Sequence, residues 1–359
     1  MATTRGSTGR TPTGHDIVVI GASAGGVEAL SQVVAGLPAD LAAAVFIVLH
    51  IHPSSASTLP EVLSRRGPLH AAHAIHGEAI VPGRIYLAPP DNHVTLRPGF
   101  VQVVRGPKEN GHRPSVDALF RTASTAYGPR VIGVVLSGYL DCGTAGLLSI
   151  KARGGIAVVQ DPRDAAAPAM PASALRHVQV DATAGVTDIA ALVTKFVKQP
   201  ATQWPSHLPG TLAEIEGDEL GVAADIVCPI CQGKLTEAVT NGFQVFRCHV
   251  GHSFSLESVA AEQAEEVERA LWSAARALEE SASLAGRLAD SSSAELRRRF
   301  AEKAQAQARY ADVIRQILLG DVLDRADANQ LENTAQRPQA VAPPRARQAA
   351  AARRPRGKV

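Results

Sequence analysis

Only four of the 359 residues are cysteine, aromatics make up 4% of the chain, and methionine and tryptophan occur twice each. So few cysteines in so long a chain do not make a disulfide framework. Three of the four fall between Cys228 and Cys248, where metal binding is the better use for them. No window approaches the ~18 uninterrupted apolar residues of a membrane-spanning helix. Met1 to Gly14, rich in Thr, Gly and Arg, lacks the apolar core of a signal peptide. The expectation is a cytoplasmic protein with no transmembrane segment.

An excess of one charge is missing too, since 36 Lys and Arg face 34 Asp and Glu. The small surplus is concentrated at the end, where six Arg and one Lys follow from Arg337 onward without an acidic residue. That stretch carries Ala and Pro but no aromatics, which reads as a disordered, solvated basic tail over 321–359 and not as a nucleic-acid arm. No nucleic-acid partner is expected. The 45% apolar content suffices for a substantial core, and the length suggests roughly two to three domains.

Residues 15–197 alternate strand-like and helix-like segments. The runs DIVVIGA, AAVFIVLH, RIYLAP, RVIGVVLSG and GIAVVQD are of strand length and continuously apolar, and GGVEALSQVVAGL, SVDALFRTASTAY and TAGLLSIKARG between them have helical spacing. Strands buried on both faces read this way, so the expected fold is α/β with a mostly parallel, doubly wound sheet. HVTLRPGFVQVVRG reads instead as a β-hairpin turning at Pro98-Gly99. A proline-punctuated linker over 198–223 leads to a compact Cys/His segment over 224–255, expected to be a domain separate from the first. A helical hairpin over 256–320 follows, broken near Asp290 to Ser293. Ser293 is a candidate N-cap, and Leu296, Phe300, Lys303, Gln307, Tyr310, Ile314 and Ile317 form the second helix's seam.

Gly21-Ala22-Ser23-Ala24-Gly25 fits G-x-S-x-G between a strand and a helix, where a tight turn lifts the hydroxyl out of the sheet. The same glycines would suit a phosphate at a helix N-terminus, but the spacing misses G-x-G-x-x-G and no G-K-[ST] follows. A serine nucleophile needs a base. His50 and His52 lie just past the second strand, on the same carboxyl edge of a parallel sheet, and His50 directly ends the apolar run. Asp141, past another strand and beside glycines, is the candidate carboxylate for orienting the imidazole.

With IGASAGG, VLHIHP, YLAPPDNHVTL, RPSVDALF, LSGYLDCGTAGL and AMPASAL in this order and spacing, residues 15–195 resemble the CheB-type protein-glutamate methylesterases of bacterial chemotaxis. The resemblance implies a serine hydrolase with Ser23 as nucleophile and His50 as base. It would demethylate glutamate methyl esters, and in many members deamidate glutamines, on methyl-accepting chemoreceptors. It is to a receiver-less form, since only some fourteen residues precede the first strand. Three positions depart from the family. Aligning both Gly138 and Gly143 to the family's glycines without a gap puts Cys142, not Asp141, where the aspartate usually stands, Ala24 replaces a frequent threonine, and Tyr139 stands where a methionine often supports the oxyanion site. The backbone around Ala24, Gly25 and Gly26 is expected to hold the oxyanion. The rival reading is a catalytically weakened module of the same fold that docks signalling partners.

Cys228 and Cys231 form C-x2-C, and Cys248 and His252 form C-x3-H, a spacing for one structural zinc in a ribbon too short to build its own core. His249 is the alternative fourth ligand. No metal or other cofactor is expected in catalysis.

Overall fold

The computed structural model describes residues 14–54, 57–202, 221–240 and 242–335. Most of the expected linker and the tail beyond 335 lie outside the described residues. Two compact units result, one up to Glu265 and the other from Glu266 on.

The first unit opens with β1 (Ile17–Ala22), α1 (Gly26–Gly36), β2 (Ala44–Leu49), α2 (Leu59–Arg66), β3 (His70–His73) and β4 (Arg84–Leu87). The hairpin β5 (His93–Arg97) and β6 (Phe100–Val104) and helix α3 (Val116–Tyr127) lead to β7 (Val131–Val135). Then come α4 (Thr144–Ala152), β8 (Ile156–Gln160), α5 (Ala169–His177), β9 (Ala182–Ala184) and α6 (Val186–Val197). Seven strands pair in the order β3-β4-β2-β1-β7-β8-β9, and every pairing is parallel. The five long runs of the sequence are β1, β2, β4, β7 and β8. The edge strands β3 (HAAH) and β9 (ATA) carry too little apolar bulk to stand out, and pairing alone makes them strands.

Strand alternation divides the core into two layers. Val18, Ile20, Val45 and Ile47 pack with Leu30 and Val33 of α1, Leu63 of α2 and Ile189 of α6. Ile17, Val19, Phe46 and Val48 face Phe120, Leu147 and Met170 on α3, α4 and α5. Emptying one such site, as in Phe46→Ala, costs about 3–5 kcal/mol. The chain leaves β1 toward β2 on one side and returns to β7 on the other. In such sheets a crevice opens outside the carboxyl ends of the strands at this reversal.

The Cys/His segment is a four-stranded antiparallel sheet of β10 (Val222–Val227), β11 (Lys234–Thr240), β12 (Phe243–Cys248) and β13 (Ser253–Ser255). It does not stand apart from the first domain. The Asn110 N–H donates to the Ser253 carbonyl at 2.7 Å, and the Ser253 N–H donates to that of Lys108 at 3.3 Å. The Asn110 carbonyl oxygen of the side chain accepts from Ser255 N–H and Ser258 Oγ at 2.9 and 2.7 Å. A sheet of so few residues gains core by leaning on a neighbour.

Two long helices end the described residues, α7 (Leu256–Asp290) and α8 (Ala294–Ala335), the latter running past Gly320, where the sequence pattern lapses. An internal glycine costs a helix only about 1 kcal/mol, too little to stop it. The Ser293 carbonyl accepts from Arg297 N–H at 2.8 Å, as an N-cap residue's does. Within the second unit the seam of α8 keeps Phe300, Gln307 and Ile314, but Ala304, Ala311 and Leu318 replace Lys303, Tyr310 and Ile317. Leu296 is exposed as well. Facing Ala275, Ala285 and Ala289 of α7, small residues let the helices approach and leave the bulky ones outside.

Candidate active site

Ser23 is the first residue beyond β1 and His50 the first beyond β2. Because Ala22 pairs with Leu49 and the His50 N–H donates to the Ala22 carbonyl at 3.1 Å, the two are neighbours at the carboxyl edge. The Ser23 N–H donates to the carbonyl of Ser137, past the end of β7, at 2.9 Å. The turn at Ser23 thus sits between β2 and β7, at the reversal of the sheet.

Local geometry holds the turn. Gly25 adopts φ +70°, and a Cβ there would come 2.6 Å from that of Ala166, so glycine serves both conformation and space. A Cβ on Gly138 would lie 2.9 Å from Ser23 Cβ and 2.0 Å from Met170 Sδ. The Ser137 hydroxyl donates to the Ala24 carbonyl at 2.7 Å and accepts from Ala167 N–H at 2.8 Å, while Gln160 Oε1 accepts from the Ser137 N–H.

Both ring nitrogens of His50 are buried and without a hydrogen-bond partner, so the bond to Ser23 Oγ is not made in this state. Burial holds the His50 pKa well below its ordinary value, with His112 a lesser cause. The His112 ring is stacked on it, centroids 3.8 Å apart and planes at 24°. His52 is exposed and turned into its own loop, Nδ1 at 2.9 Å from Ser54 Oγ.

Asp141 is 3% exposed and accepts a hydrogen bond from the Ser255 hydroxyl at 2.7 Å. Burial pushes its carboxyl up to about 7. The Cys142 Sγ lies 3.6 Å from Ser115 Oγ, inside the core layer that includes Val116 and Leu147. Burial raises this thiol well above its usual pKa. Neither residue is hydrogen-bonded to His50. Tyr139 is 67% exposed, a poor position for supporting an oxyanion.

Asp117, singled out in the sequence only as part of RPSVDALF, is buried and accepts from Gly143 N–H at 3.0 Å, Gly146 N–H at 2.7 Å and Asn110 Nδ2 at 2.8 Å. It fastens the 138–143 loop at the start of α4. Ser137 was carried only within LSGYLDCGTAGL, and Asn110, His112 and Ser255 had no signal of their own, because each acts through contacts far apart in sequence.

In the ribbon, Cys228, Cys231, Cys248 and His252 bring their ligand atoms within 4.8 Å of one another. His252 Nδ1 is 3.7 Å from Cys228 Sγ and 3.6 Å from Cys248 Sγ, and Cys231 and Cys248 Sγ are 3.6 Å apart. Ligands about 2.0–2.3 Å from one tetrahedral centre are spaced in this way, so these four fit a metal ion. His249 is not among them.

The family model for CheB methylesterase matches residues 18–193. A putative protein-glutamate methylesterase/protein-glutamine glutaminase of Leptospira interrogans is 36% identical over 183 residues, covering 51% of this chain and 95% of the relative. Proteins of Methanosarcina mazei and Xanthomonas euvesicatoria, named protein-glutamate methylesterase/protein-glutamine glutaminase, are 34% and 38% identical over 192 and 175 residues. The match takes in 51% and 48% of this chain and about half of each relative, 52% and 49%. The crystal structure of the Thermotoga maritima CheB methylesterase catalytic domain superposes with a TM-score of 0.50 at 30% identity, over 51% of this chain and 98% of that one. Ser23 and His50 thus lie at one sheet edge inside a domain matched in sequence and in fold, and the chain belongs to the CheB methylesterase family.

Proposed function

We infer that this protein is a serine hydrolase that demethylates glutamate methyl esters, and deamidates glutamines, on chemoreceptors. The observation that carries the reading is the placement of Ser23 beside His50 at the carboxyl ends of neighbouring strands. In the reaction Ser23 Oγ attacks the ester carbonyl and His50 takes the hydroxyl proton, then delivers it to the departing methanol. Water activated by His50 next hydrolyses the glutamyl-serine ester and frees Ser23. The Gly26 N–H is engaged with the Ser23 carbonyl at 2.9 Å, which leaves the amides of Ala24 and Gly25 as oxyanion donors. Bonds of this kind tighten when substrate binds.

The ribbon would hold one structural zinc through Cys228, Cys231, Cys248 and His252, a closed set with no position left for water or substrate. Its charge would keep the thiolates deprotonated and tie β10 to β13.

Methanol release from methylated receptor by the purified protein tests the reading. Release that Ser23→Ala abolishes is the expected result. The second reading, a docking module, draws on the absence of any carboxylate bonded to His50 among the described residues. Background release together with receptor binding would favour it.

A further inference from the structure

We propose that His112 is a positioning residue for the hydrolysis: stacked on His50, it fixes the plane of the base in place of the carboxylate that serine-hydrolase triads use. This rests on the esterase reading above.

A triad carboxylate holds the imidazole in one orientation and stabilises the imidazolium formed in the transition state. Here the acidic groups near the site are engaged elsewhere. Asp141 is bonded to Ser255, and Asp117 to Gly143, Gly146 and Asn110. With both His50 nitrogens unpartnered, the 3.8 Å stack with His112 is what defines the ring plane.

His112 is itself held on both sides. Its N–H and C=O are exchanged with those of Glu109 at 3.0 and 3.2 Å. Glu109 is clamped by Arg121 at 2.7 and 2.9 Å. The next residue, Arg113, donates to Asp91 at 2.6 and 2.8 Å and to the Gly106 carbonyl at 2.8 Å. A loop anchored at so many points presents the ring without further ordering at the moment of reaction. Burial lowers His112 to about 4, so it meets His50 as a neutral ring. An uncharged His112 ring does not repel the imidazolium that His50 becomes; its charge lowers His50 further only in acid, where both rings are protonated.

The test measures kcat and KM for methanol release from methylated receptor by the full chain, with melting temperatures recorded alongside. The variants are His112→Leu, which keeps bulk without a flat aromatic face, and His112→Phe, which keeps the face without titrating. A misplaced catalytic group loses up to about 100-fold. His112→Leu is therefore expected to lower kcat by about ten- to 100-fold with KM unchanged, and His112→Phe to restore most of it. Wild-type kcat in His112→Leu, or equal loss in both variants at matched melting temperatures, overturns the proposal while leaving the esterase reading intact. Wild-type release indistinguishable from that of Ser23→Ala overturns the esterase reading and this inference with it.

Discussion

The Ser255 hydroxyl donates to the Asp141 carboxyl at 2.7 Å, joining the last strand of the ribbon to the loop that follows β7. Asp141 is pushed up to about 7, by burial first and by Glu257 and Asp117 after it. A carboxyl with a folded pKa above its unfolded value of about 3.9 contributes stability that is complete below the unfolded value and lost as pH rises through the folded one. The melting temperature of the wild type relative to Asp141→Asn should therefore fall between about pH 4 and 8. The amide still accepts the Ser255 bond and cannot ionise. Calorimetry of the two proteins across this range isolates the effect, and parallel curves would refute it.

Removing the proposed ribbon zinc should affect both sites. Asn110 and Asp141 take hydrogen bonds from Ser255, which lies three residues beyond His252. Cys231→Ser, or treatment with a chelator, is expected to slow methanol release by roughly tenfold or more, since the loops bearing His112 and Asp141 lose an anchor. Turnover kept at the wild-type rate after the metal is gone would show the ribbon to be independent of the site.

The pH profile of kcat/KM reports the base in the free enzyme. Burial holds His50 well below 6.5, so its neutral form persists into acid where a solvated histidine is mostly protonated. The acid limb should have its midpoint below 6.5, and one at or above 6.5 would contradict a buried base. For stability the sign is the same. His50 and His112, both lowered, favour the fold above the unfolded pKa of about 6.5, and that contribution is lost as pH falls toward their folded values.

The central sheet was legible because β1, β2, β7 and β8 are buried on both faces and so are written as continuous apolar runs. From parallel strands alone it follows that Ser23, His50 and the 137–143 loop share one edge. The stack of His112 on His50 and the bond from Ser255 to Asp141 link residues 62 and 114 positions apart, and contacts so distant leave no periodicity behind. The register of α8 departs from the sequence pattern for a different reason. Bulky residues dominate a sequence pattern, but this seam closes on Ala304 and Ala311, with Tyr310 and Ile317 outside.

The resemblance to the family would put Cys142 where its aspartate usually stands, and that correspondence alone suggests that Cys142→Asp would restore a triad and raise kcat. The surroundings argue otherwise. The thiol is buried in an apolar layer with Ser115 as its polar neighbour, and the charge of Asp117 adds to burial in raising its pKa. A carboxylate there would be a second buried anion near Asp117, whose nearby cation Arg121 is already clamped on Glu109, and an uncompensated buried charge costs about 3–5 kcal/mol. Cys142→Asp is thus expected to lower the melting temperature, more at pH 8 than at pH 5 where the new carboxyl can stay protonated, with no gain in kcat. Cys142→Ser, close in size and uncharged, should lose less stability and keep its turnover. A rise in kcat for Cys142→Asp at unchanged KM would mean that the new carboxylate reaches His50 and supplies the orientation now assigned to His112.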